Sequence, residues 1–453
     1  MSELGDAAAA EPSSQDHTHD AVPLSERRGA VTMGLLWITM VTCFPSILAG
    51  FQWRSAGLSL TQVIGGSLIS CFLVLLYALP ACYLGAKTGL TYTLLSRFVF
   101  GRWGARFITI NILSISTCWY ALNAIFLAEG LRGLFQLQFP EMWFAAVIAL
   151  LMAINNFFGF SGVANFAQFL AAPLLIIWVL LSLYRVVAMG DTAPLAQAPS
   201  AVGHMEALTV ISSFVLGVSC WGNEPDYWRF GKPQKLAPLL PLTVALLLGQ
   251  VLFPLTGWMM GALSGANDTA SATHFVSQFV FGGAASAFAL VLAVSYVAVN
   301  DSGLYAAINA AENLKEIPRK LCVAGLAVCA ALVTIALFGY TRNFELVAAL
   351  SSVFLPCATT IMAAEAFLVR RVCGRSEDFK AIPQYRDLPA IRWAAALSFL
   401  FGATAGILTA GFVPGTAGLR FGVPALNGWV VSVGAYLILR PIELKSTENT
   451  LCK

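Results

Sequence analysis

The chain has 453 residues, of which 58% are hydrophobic and 11% are charged, and its formal net charge is +3. Soluble domains carry about 25% charged residues, so this composition excludes a soluble globular protein, and the small net charge gives no reason to expect a nucleic-acid partner. Stretches of about 20 apolar residues, the length that spans a bilayer as a helix, recur along the chain. The sequence therefore predicts an all-α polytopic protein in a lipid bilayer.

The two ends of the chain differ from the apolar middle. Residues 1–30 are rich in Ala, Ser, Asp, Glu and His, which predicts a disordered N-terminal tail. They contain no apolar core, so no secretory signal peptide is expected. Residues 443–453 are predicted to form a C-terminal tail, and residues 31–442 a single transmembrane domain.

Twelve membrane-spanning helices are predicted in chain order. Their approximate bounds are 33–53, 60–86, 104–131, 142–160, 163–187, 207–225, 237–262, 276–300, 320–340, 344–369, 391–413 and 422–440. With the N-terminus inside, twenty-one of the 26 Lys and Arg residues fall in cytoplasmic segments. Because Lys and Arg are retained on the cytoplasmic side, this distribution predicts a plasma (inner) membrane protein with both termini in the cytoplasm.

Two of the predicted spans contain helix-breaking residues. The first has Pro45 at mid-depth, and the sixth has Gly217, Gly222 and Pro225. Proline removes a backbone donor, and glycine lowers helix stability by about 1 kcal/mol. The two spans are five apart, which predicts inverted repeats over about 33–187 and 207–369, plus two extra helices over 391–440. A kink that only bends a packed helix is the alternative at either position.

Polar and aromatic side chains recur at membrane depth in four spans. They are Phe44 and Gln52 on span 1, Ser116, Thr117, Trp119 and Asn123 on span 3, Ser219, Trp221, Asn223 and Glu224 on span 6, and Ser295, Asn300 and Asp301 on span 8. Such a mixture suits a flat aromatic ligand, which stacks on ring faces while amides bind its edges. The alternatives are an interfacial anchor for a tryptophan and interhelical hydrogen bonding for Asn300.

Glu224 is costly in an apolar stretch unless it has a partner or a water-filled cavity. Three roles are open to it: a proton carrier, a hydrogen-bond acceptor for substrate, or one half of an ion pair with a cytoplasmic base. Glu224 lies two residues from Asp226. A further alternative is therefore that both acids face the cytoplasmic mouth. Asp226 and Arg229 are predicted to form a local ion pair three residues apart.

The remaining candidate chemistry is weak. The ten cysteines include no CxxC pair and mostly lie in apolar runs, where they are expected to pack as small apolar residues. Two of the four histidines are in the N-terminal tail. We therefore predict no metal site, no cofactor and no obligate protein partner. No nucleophile–base pattern or phosphate-binding loop is visible at useful depth, which argues against an enzyme.

Three segments resemble the nucleobase:cation symporter-1 family, and most closely its cytosine permease branch. They are Gly85-Ala86-Lys87-Thr88-Gly89-Leu90-Thr91 continuing to Phe100-Gly101, Asp226 with Arg229-Phe230-Gly231 and Lys235-Leu236-Ala237, and Asn300-Asp301 with Leu304-Tyr305-Ala306. The similarity covers roughly residues 22–442. It implies a leucine-transporter-type fold of 5+5 inverted repeats plus two helices, alternating access and symport of a purine, pyrimidine or related heterocycle. It also implies substrate contacts by Trp119, Asn300 and Phe44.

Departures from the family pattern affect both substrate and ion. The family's helix 6 aromatic falls on Gly217, for which Trp221 is the candidate substitute, and the helix 3 glutamine is Ser116 here. The helix 8 hydroxyl pair that helps to hold sodium is Ala298-Val299, which offers no side-chain oxygen to a hard cation. Proton coupling is therefore favoured over sodium, with Glu224 as the leading acid and Ser295 as the second candidate at the coupling-ion site. Allantoin or hydantoins, thiamine precursors and amino acids are the alternative substrates.

Overall fold

The computed structural model describes residues 16–138, 140–189, 201–339, 344–374, 377–411, 413 and 415–451. In these ranges the regular structure is helical, apart from an isolated bridge between Arg28 and Gly231. The α-helices are α1 (Ala30–Val41), α2 (Phe44–Ser55), α3 (Leu60–Thr88), α4 (Tyr92–Phe135), α5 (Glu141–Leu151), α6 (Gly159–Phe166), α7 (Ala172–Met189), α8 (His204–Ser219), α9 (Glu224–Trp228), α10 (Leu239–Leu246), α11 (Phe253–Ser264), α12 (Thr269–Phe281), α13 (Ala285–Leu314), α14 (Arg319–Leu337), α15 (Phe344–Ala364), α16 (Arg370–Cys373), α17 (Trp393–Ala410) and α18 (Pro424–Leu451). Single π-helical turns continue three of them, at Ala167–Ala171, Leu247–Leu252 and Glu365–Val369.

The described ranges contain 9 helices that are long and apolar enough to cross a membrane, or 10 if the bent pair α1–α2 is one span. The predicted count of twelve spans is not reached by this criterion of helix length and hydropathy. One reason is that Glu141–Ala188 passes as a single stretch of 48 residues, although two spans are predicted there. Another is that α8 has only 16 residues. The all-helical membrane architecture is confirmed, and the number twelve stays a prediction.

Two predicted boundaries differ from the structure because glycines with positive φ interrupt the helical backbone at positions that were not predicted. The turn between predicted spans 4 and 5 lies at 152–158, and the helix resumes at Gly159, which has φ 63°. Predicted span 8 (276–300) covers parts of two helices, α12 and α13. Gly282 and Gly283 separate them with φ of 61° and 82°.

Both predicted helix breaks are confirmed. Helix α1 ends at Val41, two residues with extended backbone follow, and α2 begins with Pro45 in its first turn, bent by 46°. Helix α8 ends at Ser219, and α9 begins at Glu224 with Pro225 in its first turn. Each break leaves backbone groups without helical partners at mid-bundle, a position where membrane proteins tolerate them only beside protein or a cavity.

The helices that carry the breaks lie at the centre of the bundle. Helix α1 packs on α10 and α2 on α11, while α3 packs on both α8 and α9. Helix α4 crosses α13, and α15 contacts α4 and α8. Helices α17 and α18 pack on each other and against α15. The two breaks, α4, α13 and α15 therefore meet in one region.

Residues 16–29, which we call the N-terminal strap, are held against the helices. The Asp16 carboxylate accepts a hydrogen bond from the Phe160 amide at 3.0 Å and pairs with Arg319 at 2.8 Å. Thr18 donates to Glu312 at 2.7 Å. The predicted disordered tail is thus wrong for residues 16–29, because their charged side chains find partners far along the chain. Residues 1–15 lie outside the described residues.

Arg27 is the most connected side chain of the N-terminal strap. Its guanidinium donates to the carbonyls of Val22, Ala86 and Gly231, at 2.8, 2.8 and 3.0 Å. Burial, with the nearby guanidinium of Arg229, lowers the pKa of Arg27 to about 10. It therefore remains charged at neutral pH, and its hydrogen bonds are charge-assisted.

The C-terminal end also differs from its prediction. Helix α18 continues through residues 443–451, which were expected to form a separate tail. Near this end, Arg440 pairs with Glu443 at 2.7 Å and with Glu365 at 3.2 Å. The Arg440–Glu365 pair holds this part of α18 against the π-turn after α15.

Candidate functional site

A cavity lies where the two breaks meet α4, α13 and α15. The lining residues are Met40, Cys43, Pro45, Ile115, Ser116, Trp119, Tyr120, Asn123, Gly217, Val218, Cys220, Trp221, Val299, Asn300, Gly303, Ser351 and Leu355. Five of the six predicted substrate residues are among them: Ser116, Trp119, Gly217, Trp221 and Asn300.

Helix α4 contributes one continuous face to the cavity. Ser116, Trp119, Tyr120 and Asn123 are spaced three and four residues apart, so they lie on the same side of the helix. The indole nitrogen of Trp119 donates to the Ser351 hydroxyl of α15 at 2.8 Å. This hydrogen bond fixes the ring plane, as a stacking platform requires.

The break between α8 and α9 supplies the second tryptophan. The indole nitrogen of Trp221 donates to the carbonyl of Val218 at 2.8 Å, which holds the ring beside its own unwound segment. Gly222 has φ 81°, and a Cβ there would lie 2.4 Å from the Leu355 Cβ. Only glycine therefore permits both this backbone turn and the close approach of α15.

Gly217 explains why the family's helix 6 aromatic is missing. A Cβ at Gly217 would lie 2.7 Å from the Ala348 Cβ and 2.8 Å from the Ala348 carbonyl oxygen. Helix α8 thus packs on α15 too closely for any side chain at this position. An aromatic ring has to come from elsewhere, and Trp221 occupies the cavity wall four residues on.

Asn300 of α13 is both a cavity residue and an interhelical link. Its side-chain oxygen accepts from the Asn123 amide at 2.9 Å, and its nitrogen donates to the Tyr120 carbonyl at 3.0 Å. The two hypotheses for Asn300, that it lines the binding site and that it hydrogen-bonds between helices, are therefore compatible. Next to it, Val299 gives the cavity an apolar wall in place of a hydroxyl.

Phe44 does not line the cavity, contrary to the prediction. It is fully buried and stacks on Trp178 of α7, with ring centroids 6.2 Å apart and an interplanar angle of 11°. Its neighbours Cys43 and Pro45 line the cavity instead. The reason is the extended backbone of residues 42–43, which changes the direction in which the first side chain of α2 projects.

Glu224 lies directly behind the cavity wall. It is fully buried, and its Oε1 accepts from the backbone amide of Trp221 at 2.8 Å. Its Oε2 accepts from the hydroxyl of Tyr77 on α3. The carboxylate therefore braces the unwound segment that carries a cavity residue, but it is not itself part of the cavity lining.

Asp226 and Arg229 do not form the predicted ion pair through their side chains. The Asp226 carboxylate accepts from the Tyr92 amide at the start of α4, at 2.7 Å. Arg229 donates to the Asp226 backbone carbonyl at 3.1 Å and to the Tyr305 hydroxyl at 2.7 Å. The two charges thus connect α9 to α4 and α13, because each finds a better-placed partner than the other.

The predicted coupling-ion residue Ser295 is fully buried on α13, one turn before Val299, and does not line the cavity. Ala298 is buried against Phe166 and Leu174 in an apolar cluster. Within the described part of the chain, no group of three or more His, Cys, Asp or Glu residues is placed to hold a metal ion.

Sequence reasoning missed several functional positions. Ser351 and Leu355 complete the cavity wall from α15, and Tyr77 holds Glu224. Little in the sequence indicated these three residues, because each lies in a mostly apolar run. Tyr77 and Glu224 are separated by 147 positions, so nothing local could pair them.

Interrupted membrane helices that meet at a cavity lined by aromatic and polar side chains are typical of secondary transporters. The chain belongs to the family of permeases for cytosine/purines, uracil, thiamine and allantoin, whose model matches residues 21–431. This membership also means that the protein is an integral, multi-pass membrane protein.

Relatives of known name agree with this family. The cytosine permease of Escherichia coli (strain K12) is 26% identical over 445 residues, covering 97% of this chain and 98% of that protein. The cytosine permease of Escherichia coli O157:H7 matches equally well over the same shares.

Solved structures confirm the predicted leucine-transporter-type fold. Mhp1, a nucleobase-cation-symport-1 family transporter in a closed conformation with bromovinylhydantoin bound, has a TM-score of 0.69 at 18% identity, covering 95% of each chain. A Na⁺-coupled sialic acid symporter in a substrate-bound outward-open state has a TM-score of 0.66 at 11% identity, covering 92% of this chain and 90% of that one.

Proposed function

We propose that this permease is a secondary-active symporter that imports a nucleobase or related heterocycle by alternating access and proton coupling. Cytosine is the first candidate, since the named relatives are cytosine permeases. The observation that carries the proposal is the cavity at the two helix breaks, with Trp119 and Trp221 in its wall. Flat heterocycles gain most from such rings, because stacking on an aromatic side chain contributes about 1–3 kcal/mol per base.

The polar groups of the cavity support a ligand with a hydrogen-bonding edge. Asn123, Asn300 and Ser116 lie in its wall, whereas no Asp, Glu, Lys or Arg is among its described lining residues. An amino acid would need partners for a carboxylate and an ammonium group, and these lining side chains provide neither charge. The site therefore favours a neutral heterocycle over a zwitterion.

Hydantoins and allantoin are the second candidate class. The family description includes allantoin and thiamine, and the Mhp1 structure holds bromovinylhydantoin. These rings also carry amide edges and fit the same kind of cavity. A thermal-shift panel of cytosine, uracil, adenine, hydantoin, allantoin and a thiamine precursor on the purified protein would separate the candidates, because a ligand that binds the folded state raises its apparent stability.

Proton coupling is supported by the side chains on α13 and behind the α8–α9 break. Ala298 and Val299 carry no oxygen at the family's sodium-associated positions, and Val299 forms an apolar part of the cavity wall. Glu224 is a buried acid one hydrogen bond from Trp221. A titratable carboxyl at this place can couple ligand binding in the cavity to protonation of Glu224.

Uptake into proteoliposomes with defined ion gradients tests the coupling. With a proton gradient and no sodium, we expect concentrative uptake of the hit ligand that an uncoupler abolishes. Glu224→Gln is expected to retain ligand binding and lose concentrative uptake, while Glu206→Gln on the same interrupted span, in the first turn of α8, should behave as wild type. Uptake that requires sodium and is independent of the proton gradient would contradict the proposal.

We also propose that both termini are cytoplasmic, since most Lys and Arg residues then lie inside. Two single-cysteine variants in a cysteine-free background test this orientation, one at Lys232 and one at Ala266, which lie in loops on opposite sides in the proposed orientation. In intact cells an impermeant thiol reagent should label the second and spare the first. The reverse pattern would overturn the orientation.

A further inference from the structure

Glu224 stands between two separate openings in the protein. On one side, its Oε1 accepts from the amide of Trp221, which lines the ligand cavity. On the other side, its Oε2 accepts from the hydroxyl of Tyr77. Tyr77 does not line that cavity. It lines a second, mainly apolar opening between α3, α15 and α18, which is bordered by Leu76, Pro80, Thr359, Thr360, Phe367 and Val433.

The two hydrogen-bond partners of Glu224 are chemically unequal. A backbone N–H can only donate, so Oε1 beside Trp221 must remain an acceptor in either protonation state. A phenol hydroxyl both donates and accepts. When a proton is added at Oε2, the Tyr77 hydroxyl turns its own hydrogen away and accepts instead, whereas the Trp221 amide can only keep donating to Oε1.

Among the described residues, the titratable groups around Glu224 are Tyr77 and Cys82 from α3, Tyr92 from α4, and Cys220 and Tyr227 from its own segment. None of these five is a base. Asp226 is held by the Tyr92 amide and lies beside Arg229. Thr359 of α15 donates to the Gly222 carbonyl and so supports the same unwound segment. Tyr77 is the neighbour of Glu224 whose hydrogen bond can reverse.

We propose that Tyr77 is the proton switch of this transporter. Its hydroxyl turns from donor to acceptor when Glu224 takes up a proton. Tyr77 acts as a positioning residue, since it does not line the ligand cavity. The inference rests on the proposed proton coupling, and it adds the hydrogen bond that reverses when the proton binds.

The proton balance of the switch is simple. A hydronium ion transfers one proton to Glu224 Oε2 and leaves as neutral water, and the Tyr77 O–H bond only rotates; release is the reverse. Protonation removes the negative charge that strengthens the hydrogen bond from the Trp221 amide. The unwound segment is then held less firmly, which connects the proton to the shape of the ligand cavity.

Infrared difference spectroscopy tests the hydrogen bond without any ligand. Purified wild type, Tyr77→Phe, Tyr83→Phe and Glu224→Gln are compared in lipid as the pH is stepped. We expect a protonated-carboxyl C=O band in the wild type that is lost in Glu224→Gln and shifted in Tyr77→Phe. Tyr83→Phe is the matched control on α3, where the ring of Tyr83 stacks on Phe367, and its band should equal that of the wild type.

A flux measurement tests the role in transport. Proteoliposomes with a pH-sensitive dye inside are given external cytosine, or the ligand found in the thermal-shift panel. Tyr77→Phe should bind the ligand with a Kd near that of the wild type, while ligand-driven proton entry falls by roughly tenfold to a hundredfold, the scale of one lost hydrogen bond to a charged group. Tyr83→Phe should retain proton entry.

The outcomes separate this inference from the proposed function. Wild-type protein that transports ligand without moving protons overturns the proton coupling and the switch together. Wild type that moves protons, with Tyr77→Phe equal to Tyr83→Phe in both band position and proton entry, overturns the switch alone. A shifted band with lost proton entry in Tyr77→Phe only supports it.

Discussion

The side-chain amide of Asn123 donates to Asn300 Oδ1 at 2.9 Å, and this hydrogen bond ties α4 to α13 at the wall of the ligand cavity. Asn300 in turn donates to the carbonyl of Tyr120 on α4. The same pair of amides thus holds two central helices together at the cavity wall. In the proposed function these residues also contact the ligand, so one substitution tests both roles.

Asn300→Ala is expected to lower both stability and affinity. The Tyr120 carbonyl and the Asn123 amide lose a buried partner, which costs about 1–3 kcal/mol. Melting temperature and ligand Kd of the purified variant measure the two effects. Asn427→Ala, whose amide bonds Thr409 and Phe421 on the outer helices, is the control and should leave the Kd unchanged. An Asn300→Ala variant with normal Kd would assign the residue to helix packing alone.

The helix breaks could be predicted from the sequence because their causes are local. Pro45, Gly222 and Pro225 each act on their own backbone, and the breaks lie beside them. The orientation of side chains after a break is not local. Phe44 was expected in the cavity but stacks on Trp178, since two extended residues reset the direction of the following helix.

Contacts between segments far apart in the chain could not be predicted from the sequence either. The composition of the N-terminal strap is typical of disorder, yet Asp16 binds the Phe160 amide 144 residues away. The gap left at Gly217 was visible as a departure from the family pattern. Its cause, the close approach of Ala348, needed the structure.

Trp119→Ala should weaken ligand binding most strongly. Loss of one stacking ring removes roughly 1–3 kcal/mol, or about tenfold to a hundredfold in Kd. Binding is measured by calorimetry on the purified variant, and for a weak ligand it should become undetectable. Trp143→Ala, which removes a 57% exposed ring on α5, is the control. Retained affinity in Trp119→Ala would contradict the stacking role.

Gly217→Ala should destabilise the protein even though it adds one methyl group. The new Cβ meets Ala348, including its backbone oxygen, and such overpacking costs about 1–3 kcal/mol. Gly434→Ala on α18 is the matched control, since nothing lies within 4 Å of its Cβ position. There alanine should raise helix stability by up to about 1 kcal/mol.

A second substitution sharpens the Gly217 test. Adding Ala348→Gly removes the methyl contact and should restore part of the lost melting temperature, while the contact with the Ala348 carbonyl remains. A double variant no more stable than Gly217→Ala would mean that the clash is with backbone alone. A Gly217→Ala variant as stable as the wild type would show that α8 and α15 are not in this close contact.

Arg27→Ala should release the N-terminal strap from the helices. Its guanidinium donates to the carbonyls of Ala86 and Gly231, and hydrogen bonds from a charged group contribute roughly 1.5–3 kcal/mol each. Beside it, the Arg28 amide donates to the Phe230 carbonyl at 2.6 Å. Hydrogen exchange at residues 22–28 should therefore accelerate by about tenfold or more.

Lys232→Ala, an exposed neighbour in the loop that the N-terminal strap contacts, is the control and should exchange as wild type. Arg319→Ala removes the other anchor, the ion pair with Asp16. If Arg27 is the main attachment, exchange near residue 27 rises in Arg27→Ala while residues 16–18 stay protected by Arg319. Unchanged exchange in Arg27→Ala, with full release in Arg319→Ala, would place the attachment at Asp16 instead.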